Sequence, residues 1–337
     1  MSINVCIFGV SGYTGSTLLK LLNKHRHVNL IGVFGDKTLG KKIRALFPSL
    51  QNLPNLTVTN YKRFNFKTTD LIFSCIPHGK FQKEIFPKLE YDNSIIDLSG
   101  DFRIDDKKEY EKYYKCKHKS FSYKKKFVYG LSEINRKSIK SSKFIANPGC
   151  YPTSILLPLI PLLKTKDIEL ENIIADSKSG YSGAGKKIYS SDQYSNLNEN
   201  IAIYGAGNHR HMPEINFYSS LYANQNLEIL FTPHLIPTFR GMLSTIYIKS
   251  KKSIEDIYST LDKFYKNEPF IKIFKSKMIN TDKVINTNMV HISINKSNAK
   301  NTFIISSSID NLLKGAAGQA IQNFNIRFNF DEKLGLI

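Results

Sequence analysis

The chain's opening constrains it most. Residues 3–9 (INVCIFG) form a short apolar, β-branched run, residues 10–15 (VSGYTG) a glycine-rich turn, and Leu18, Leu19, Leu21 and Leu22 supply the apolar face of a following helix. Strand, tight turn and helix in that order begin a βαβ unit. Gly9, Gly12 and Gly15 recur with the spacing G-x-x-G-x-x-G. Glycines there let the backbone turn sharply and approach a pyrophosphate, whose charge suits the amides at a helix N-terminus. Gly9, Ser11, Gly12, Tyr13, Thr14 and Gly15 are therefore the expected dinucleotide-binding loop.

Further strand-like runs follow at 28–34, 70–76, 94–98 and 143–146, alternating with helical stretches. That alternation predicts an α/β fold with a Rossmann-type, doubly wound parallel sheet. After Cys150 the character changes. Residues 173–178, 228–232, 242–249 and 289–294 are strand-like, several with alternating polarity, and 253–265 is helical, with Ile254, Ile257, Tyr258 and Leu261 on one face. This predicts a second, α+β domain with a mixed or antiparallel sheet. A length of 337 residues suits two domains. The expected division falls after 149, and the alanine- and glycine-rich stretch 312–324 reads as a second helix. Pro158 and Pro161 predict that any helix after Cys150 is short or kinked.

Composition narrows the function classes. Hydrophobic residues make up 41% of the chain, which excludes a disordered or collagen-like protein. No apolar run approaches the roughly 18 residues of a membrane-crossing helix. The N-terminus lacks the basic start of a signal peptide, so a cytoplasmic protein is expected. The net charge of +20 has two readings, a nucleic-acid surface or compositional drift. Arginine, the residue preferred for phosphate and base contacts, supplies only 8 of the 48 basic residues. The richest stretch, 105–143, holds 13 Lys/Arg against 5 Asp/Glu, interleaved with Tyr110, Tyr113, Tyr114, Phe121, Tyr123 and Phe127. It reads as a solvated lysine-rich insertion whose aromatics pack inward, and no nucleic-acid partner is expected.

Four cysteines stand far apart, with no C-x-x-C pair, so neither a zinc ribbon nor a disulfide framework fits. Cys6 and Cys75 lie on apolar strands and read as inert. Cys116 sits among lysines that could lower its pKa, without an evident base. Cys150 is the nucleophile candidate. It follows Pro148-Gly149 at a strand end and precedes Tyr151-Pro152 and a leucine-rich helical run. A helix N-terminus favours thiolate there. A base is offered by residues 208–214 (NHRHMPE), where an extended backbone would point His209 and His211 to one face and Arg210 to the other. Zinc is the competing reading of that pair, but no further ligand lies nearby and no metal is expected. Residues 179–186 (SGYSGAGK) form a second anion-compatible loop. At the end of the second strand, Asp36 argues for NAD, while Lys37, Thr38, Lys41 and Lys42 argue for NADP(H), the expected cofactor.

Taken together, GVSGYTG (9–15), IPHG (76–79), IDLSGDFR (96–103), ANPGCYPTS (146–154), SKSGYSGAGK (177–186), GNHRHMPEI (207–215) and NLLKGAAGQAIQN (311–323) resemble, over essentially the whole chain, the N-acetyl-γ-glutamyl-phosphate reductase family. HRHMPE separates that family from the related aspartate-semialdehyde dehydrogenases. Ile76, where leucine is usual, and the lysine-rich 105–143 stretch are departures outside the chemistry. The resemblance implies two domains, 1–149 completed by the C-terminal helix within 312–337, and 150–311. It implies NADPH-dependent reduction of an acyl phosphate to an aldehyde through a Cys150 thioester, in a homodimer or homotetramer. It implies His211 or His209 as general acid/base and Glu214 orienting an imidazole. Arg103, Asn147 and His209 are the expected substrate ligands, with a salt bridge to Asp101 as the other reading of Arg103. Pro77, Gly79, Ser179, Gly180 and Asn311 are expected on the nicotinamide side. Two rivals stay open on these residues: a reductase of another acyl phosphate, aminoadipyl or aspartyl, and a basic nucleic-acid-binding protein on an enzyme fold.

Overall fold

A computed structural model describes residues 2–89, 92–185 and 199–336. The chain divides into two compact units, Met1–Pro148 with Ala316–Ile337, and Gly149–Gly315.

In the first unit the described residues form a six-stranded, all-parallel sheet of β1 (Ile3–Phe8), β2 (Val28–Phe34), β3 (Leu71–Ser74), β4 (Ser94–Asp97), β5 (Phe127–Tyr129) and β6 (Phe144–Ala146). The order β2-β1-β3-β4-β6-β5 reverses direction at β1. Such a switch point opens a crevice at the carboxyl ends of the strands, where α/β sheets bind ligands. Helix α1 (Tyr13–Leu22) buries Leu18, Leu19 and Leu22 on one face of the sheet, and a phenylalanine cluster including Phe8, Phe34, Phe81, Phe86 and Phe102 covers the other. Short α2 (Ile43–Leu46), α3 (Lys107–Tyr114) and α4 (Ser132–Ser141) complete this part.

The lysine-rich stretch is ordered by ordinary means. Asp106 caps α3 by accepting from the backbone N–H groups of Lys108 and Glu109 at 2.8 and 3.0 Å. Tyr110, Tyr114 and Phe127 are buried, Phe127 stacking on Phe102 at 3.9 Å, while Lys107, Lys108, Lys115, Lys117, Lys125 and Lys126 face solvent. Lys124 is buried beside Asp105 at 3.7 Å.

The second unit begins with α5 (Cys150–Thr165). Its described residues form a seven-stranded mixed sheet of β7 (Ile174–Gly180), β8 (Ala202–Ile203), β9 (Leu230–Ile236), β10 (Met242–Lys249), β11 (Ile271–Lys275), β12 (Val290–Lys296) and β13 (Thr302–Ile309), in the order β11-β12-β13-β10-β7-β9-β8. Helices α6 (Met212–Ala223) and α7 (Ile254–Tyr265) pack against α5.

Of the short or kinked helix expected after Cys150, the short alternative is wrong: α5 runs 16 residues through Pro158 and Pro161. Each proline removes one backbone donor and strands the carbonyl four residues earlier. Leu157, stranded by Pro161, instead accepts the Tyr265 hydroxyl at 2.5 Å. Every residue from Tyr151 to Leu163 is buried, so tertiary packing outweighs the local cost.

The last helix, α8 (Gly318–Arg327), follows a wider π-type turn at Leu313–Ala317 and packs in the first unit on α1 and α4. Gly130, outside the helix, permits close approach. At Gly130 an added Cβ would lie 2.4 Å from Asn323 Nδ2, which donates to the Gly130 carbonyl at 2.9 Å and to Asn147 Oδ1 at 3.0 Å.

Candidate active site

Cys150 is the first residue of α5, and the extended backbone of Gly149 (φ −72°, ψ 158°) caps the helix without a side chain. Both neighbours of Cys150 are held. The Gly149 N–H donates at 2.9 Å to Oε1 of Glu214, a wholly buried carboxylate in the first turn of α6. The Tyr151 ring stands 5.4 Å from the His209 ring and 6.0 Å from that of His211. Gly315 closes the other side, since a Cβ there would lie 2.7 Å from Cys150 Cβ.

Asp310, which sequence reasoning passed over, builds the turn that delivers Gly315. Its Oδ1 accepts the N–H groups of Leu312 and Leu313 at 2.8 and 3.0 Å, its carbonyl accepts that of Gly315 at 3.0 Å, and its Oδ2 pairs with Arg240 at 3.1 Å. An Asp just before a helical run is a capping signal that could have been read.

The histidine segment is not extended. Gly205 and Gly207 adopt positive φ (61° and 73°), the chain turns through 205–211, and Pro213 stands in the first turn of α6. His211 becomes the N-cap, and its backbone N–H donates to His209 Nδ1 at 3.1 Å. The two rings are 5.0 Å apart and buried, while Arg210 faces solvent, so the expected separation arises from a turn instead of a strand. Tyr151, Tyr204 and Phe231 surround His209 with centroids at 5.2–5.5 Å. Burial, aided by the Arg210 charge, pushes the His209 pKa down to about 3. His209 is thus neutral at pH 7, with Nδ1 serving as an acceptor. Among the described residues no group of three or more His, Cys, Asp and Glu could hold a metal.

Ser179, Gly180 and Asn311 come together in the second unit. Gly180 packs so closely on Arg240 that a Cβ would lie 2.8 Å from its backbone. Asn311 accepts the Gly241 N–H at 2.8 Å and donates to Ser182 Oγ at 2.9 Å. Lys186, the end of the SGYSGAGK loop, lies outside the described residues.

In the first unit, Gly9 takes φ +87°, where a Cβ would meet the Cys75 carbonyl at 2.6 Å, and a Cβ on Gly15 would sit 2.2 Å from the Gly9 carbonyl. Ser11, Tyr13 and Thr14 fill out this turn. Gly12 caps α1 without a side chain, and the first turn carries no acidic residue, an arrangement suited to an external anion. Gly79, after Pro77, is also left-handed (φ +80°), and its N–H is anchored on Asp101 Oδ1 at 2.6 Å. Asp101 also accepts from the Tyr110 hydroxyl at 2.6 Å and the Gln82 N–H at 3.2 Å. This anchor was missed because its partners lie 9 to 22 residues away. Beside it, burial and then the Asp101 charge raise the Asp97 pKa to about 7.

Arg103 is buried, with Nη2 on the Leu98 carbonyl at 2.9 Å. Asn147 has its carboxamide engaged at both ends, accepting from Asn323 and donating to the Ala316 carbonyl at 3.2 Å. Lys37 is exposed at the end of β2. Cys116 departs from expectation: burial pushes its thiol pKa up, not down, and its sulfur lies 3.4 Å from the Tyr110 hydroxyl. Burial raises Cys6 to about 11 and also raises Cys75.

Residues 4–142 match the family described as semialdehyde dehydrogenase, NAD binding domain, and residues 150–311 match semialdehyde dehydrogenase, dimerisation domain. An N-acetyl-gamma-glutamyl-phosphate reductase from Caldicellulosiruptor bescii is 43% identical, covering 99% of this chain and 98% of that protein. A probable chloroplastic N-acetyl-gamma-glutamyl-phosphate reductase of Arabidopsis thaliana is 42% identical over 99% of this chain and 84% of its own. The chain belongs to the N-acetyl-gamma-glutamyl-phosphate reductase family. It is therefore an oxidoreductase. The reductase fold extends to more distant proteins: an aspartate semialdehyde dehydrogenase with NADP from Candida albicans superposes with a TM-score of 0.67 at 15% identity, covering 97% of this chain and 98% of that one.

Proposed function

We propose that the protein reduces N-acetyl-L-glutamyl 5-phosphate to N-acetyl-L-glutamate 5-semialdehyde with NADPH, releasing phosphate, through a thioester on Cys150. The observation that carries this is the framing of Cys150. It opens a helix, the residue before it is tied to Glu214, and the residue after it packs edge-to-face beside the two histidines.

In this reading the Cys150 thiolate attacks the acyl carbon. A C–S bond forms, the C–O bond to phosphate breaks, and phosphate leaves with the electron pair. When bound, NADPH supplies the hydride that reduces the thioester. Collapse of the resulting hemithioacetal releases the aldehyde and restores the thiolate. His211 is assigned as general acid/base, because His209 spends Nδ1 on the His211 N–H and is too weakly basic near neutrality to exchange protons. His209 then positions its neighbour, and Glu214 positions Cys150. The glycine turn and first-turn amides of α1 hold the cofactor's pyrophosphate, with Pro77 and Gly79 as further cofactor contacts. Ser179, Gly180 and Asn311 are kept as the second unit's ligand-binding loop. Arg103 and Asn147, both engaged internally, take positioning parts.

The first unit is thus the NADP-binding unit, with α8 as part of it, and the second is the catalytic and oligomerisation unit. The dimerisation-domain match supports a homodimer or homotetramer, checked by sedimentation. Among the described residues no helix is long and apolar enough to cross a membrane, which is compatible with a cytoplasmic location. The decisive assay follows NADP+ reduction with N-acetylglutamate semialdehyde and phosphate, then with aspartate semialdehyde. Turnover with the second alone would overturn the substrate assignment. Cys150→Ser should abolish turnover while NADPH still binds; an active variant would refute the covalent route.

A further inference from the structure

A charged constellation at the end of β2 bears on which dinucleotide is accepted. Asp36 stands two residues past β2, where a carboxylate ordinarily hydrogen-bonds the adenosine ribose hydroxyls and repels a 2′-phosphate. Here it forms an ion pair, through Oδ2, with Lys80 Nζ. Lys80 comes from the segment after β3, one residue past Gly79, whose N–H is anchored on Asp101. The Lys80 side chain is 36% exposed and that of Asp36 81%, so both groups are open to a ligand. An exposed pair of this kind adds little to stability. Its consequence is electrostatic: the carboxylate is neutralised, leaving Lys37, Lys41 and Lys42 on the same loop to give it a net positive charge.

We propose that Lys80 sets the preference for the 2′-phosphorylated dinucleotide, neutralising Asp36 and presenting its ammonium to the 2′-phosphate. The inference rests on the cofactor reading above and adds a residue that the β2 loop does not contain. Its occupant is an adenosine 2′-phosphate, a dianion matched by an ammonium and disfavoured by an unpaired carboxylate.

The test is calorimetric titration of the full-length protein with 2′,5′-ADP and with 5′-AMP, which differ only by the 2′-phosphate. Wild type should prefer 2′,5′-ADP. Lys80→Met should weaken 2′,5′-ADP about tenfold, the size of one charge-assisted hydrogen bond, and leave 5′-AMP unchanged or tighter. Lys80→Arg should keep the preference, and Asp36→Asn added to Lys80→Met should recover part of it. Equal weakening of both nucleotides by Lys80→Met, or weakening of neither, would overturn the proposal while leaving the cofactor site intact. A wild-type protein that binds neither nucleotide nor NADPH would overturn the cofactor reading as well.

Discussion

Glu214→Ala should lower both stability and turnover, and Glu214→Gln should separate a positioning carboxylate from a chemical one. Glu214 has no exposed surface, and its Oε1 takes the Gly149 N–H at 2.9 Å. Truncation leaves that buried donor unsatisfied, at about 1–3 kcal/mol. Lost packing of the one methylene that alanine lacks adds about 0.8 kcal/mol. Together these lower the melting temperature by about 4–15 °C for a unit of this size. Glutamine keeps an acceptor and exchanges a charge-assisted bond for a neutral one, so it should cost only about 1 kcal/mol. Catalysis falls as well because Gly149 sets the direction in which Cys150 enters α5, and a displacement of about 1 Å can cost on the order of 100-fold. Turnover should fall by about that factor in Glu214→Ala and by less than about tenfold in Glu214→Gln. The rate of Cys150 alkylation, resolved by peptide mass from the other three cysteines, should fall in the same order. Equal losses in the two variants would show that the charge itself does chemistry. Wild-type alkylation and turnover in Glu214→Ala would refute the positioning argument.

Gly315→Ala would place a methyl 2.7 Å from Cys150 Cβ. It should lose most turnover for an overpacking cost of about 1–3 kcal/mol; wild-type kcat would show that the two segments separate freely. His209, with its folded pKa lowered from 6.5 to about 3, binds its proton more readily in the unfolded chain. Its contribution to stability is therefore present above pH 6.5 and is lost as pH falls from there toward 3. The urea midpoint of wild type should drop faster between pH 7 and 5 than that of His209→Gln; parallel slopes would contradict the burial argument. Asp101→Asn, which leaves one carboxamide oxygen for three donors, should raise KM for NADPH several-fold with Cys150 alkylation unchanged, and an unaltered KM would deny that Asp101 holds the Gly79 turn.

Legibility in the chain followed the range of the interaction responsible. The opening strand, glycine turn and α1 were readable because local constraints suffice to show them: a change of hydrophobic period, and the contact of Gly15 with Gly9, six residues back, although Gly9 also packs on distant Cys75. The strand at residues 28–34 matched β2, and 242–249 matched β10. β13 was missed because Ser306, Ser307 and Ser308 make a largely buried strand look polar. α5 was misread for the opposite reason. Proline acts locally, but the donor that satisfies Leu157 is Tyr265, 108 residues away. Glu214 was singled out beside the histidines, yet its hydrogen bond to Gly149 spans 65 residues. The choice between NAD and NADP shows the same limit in charge. Residues 34–42 contain a carboxylate and three lysines and, read alone, point both ways. Asp36 and Lys80 are 44 residues apart, and they meet because β1 lies between β2 and β3, bringing the loops at both strand ends to one edge of the sheet. A local pattern can report that a carboxylate stands at the ribose end. Strand order determines which cation faces it.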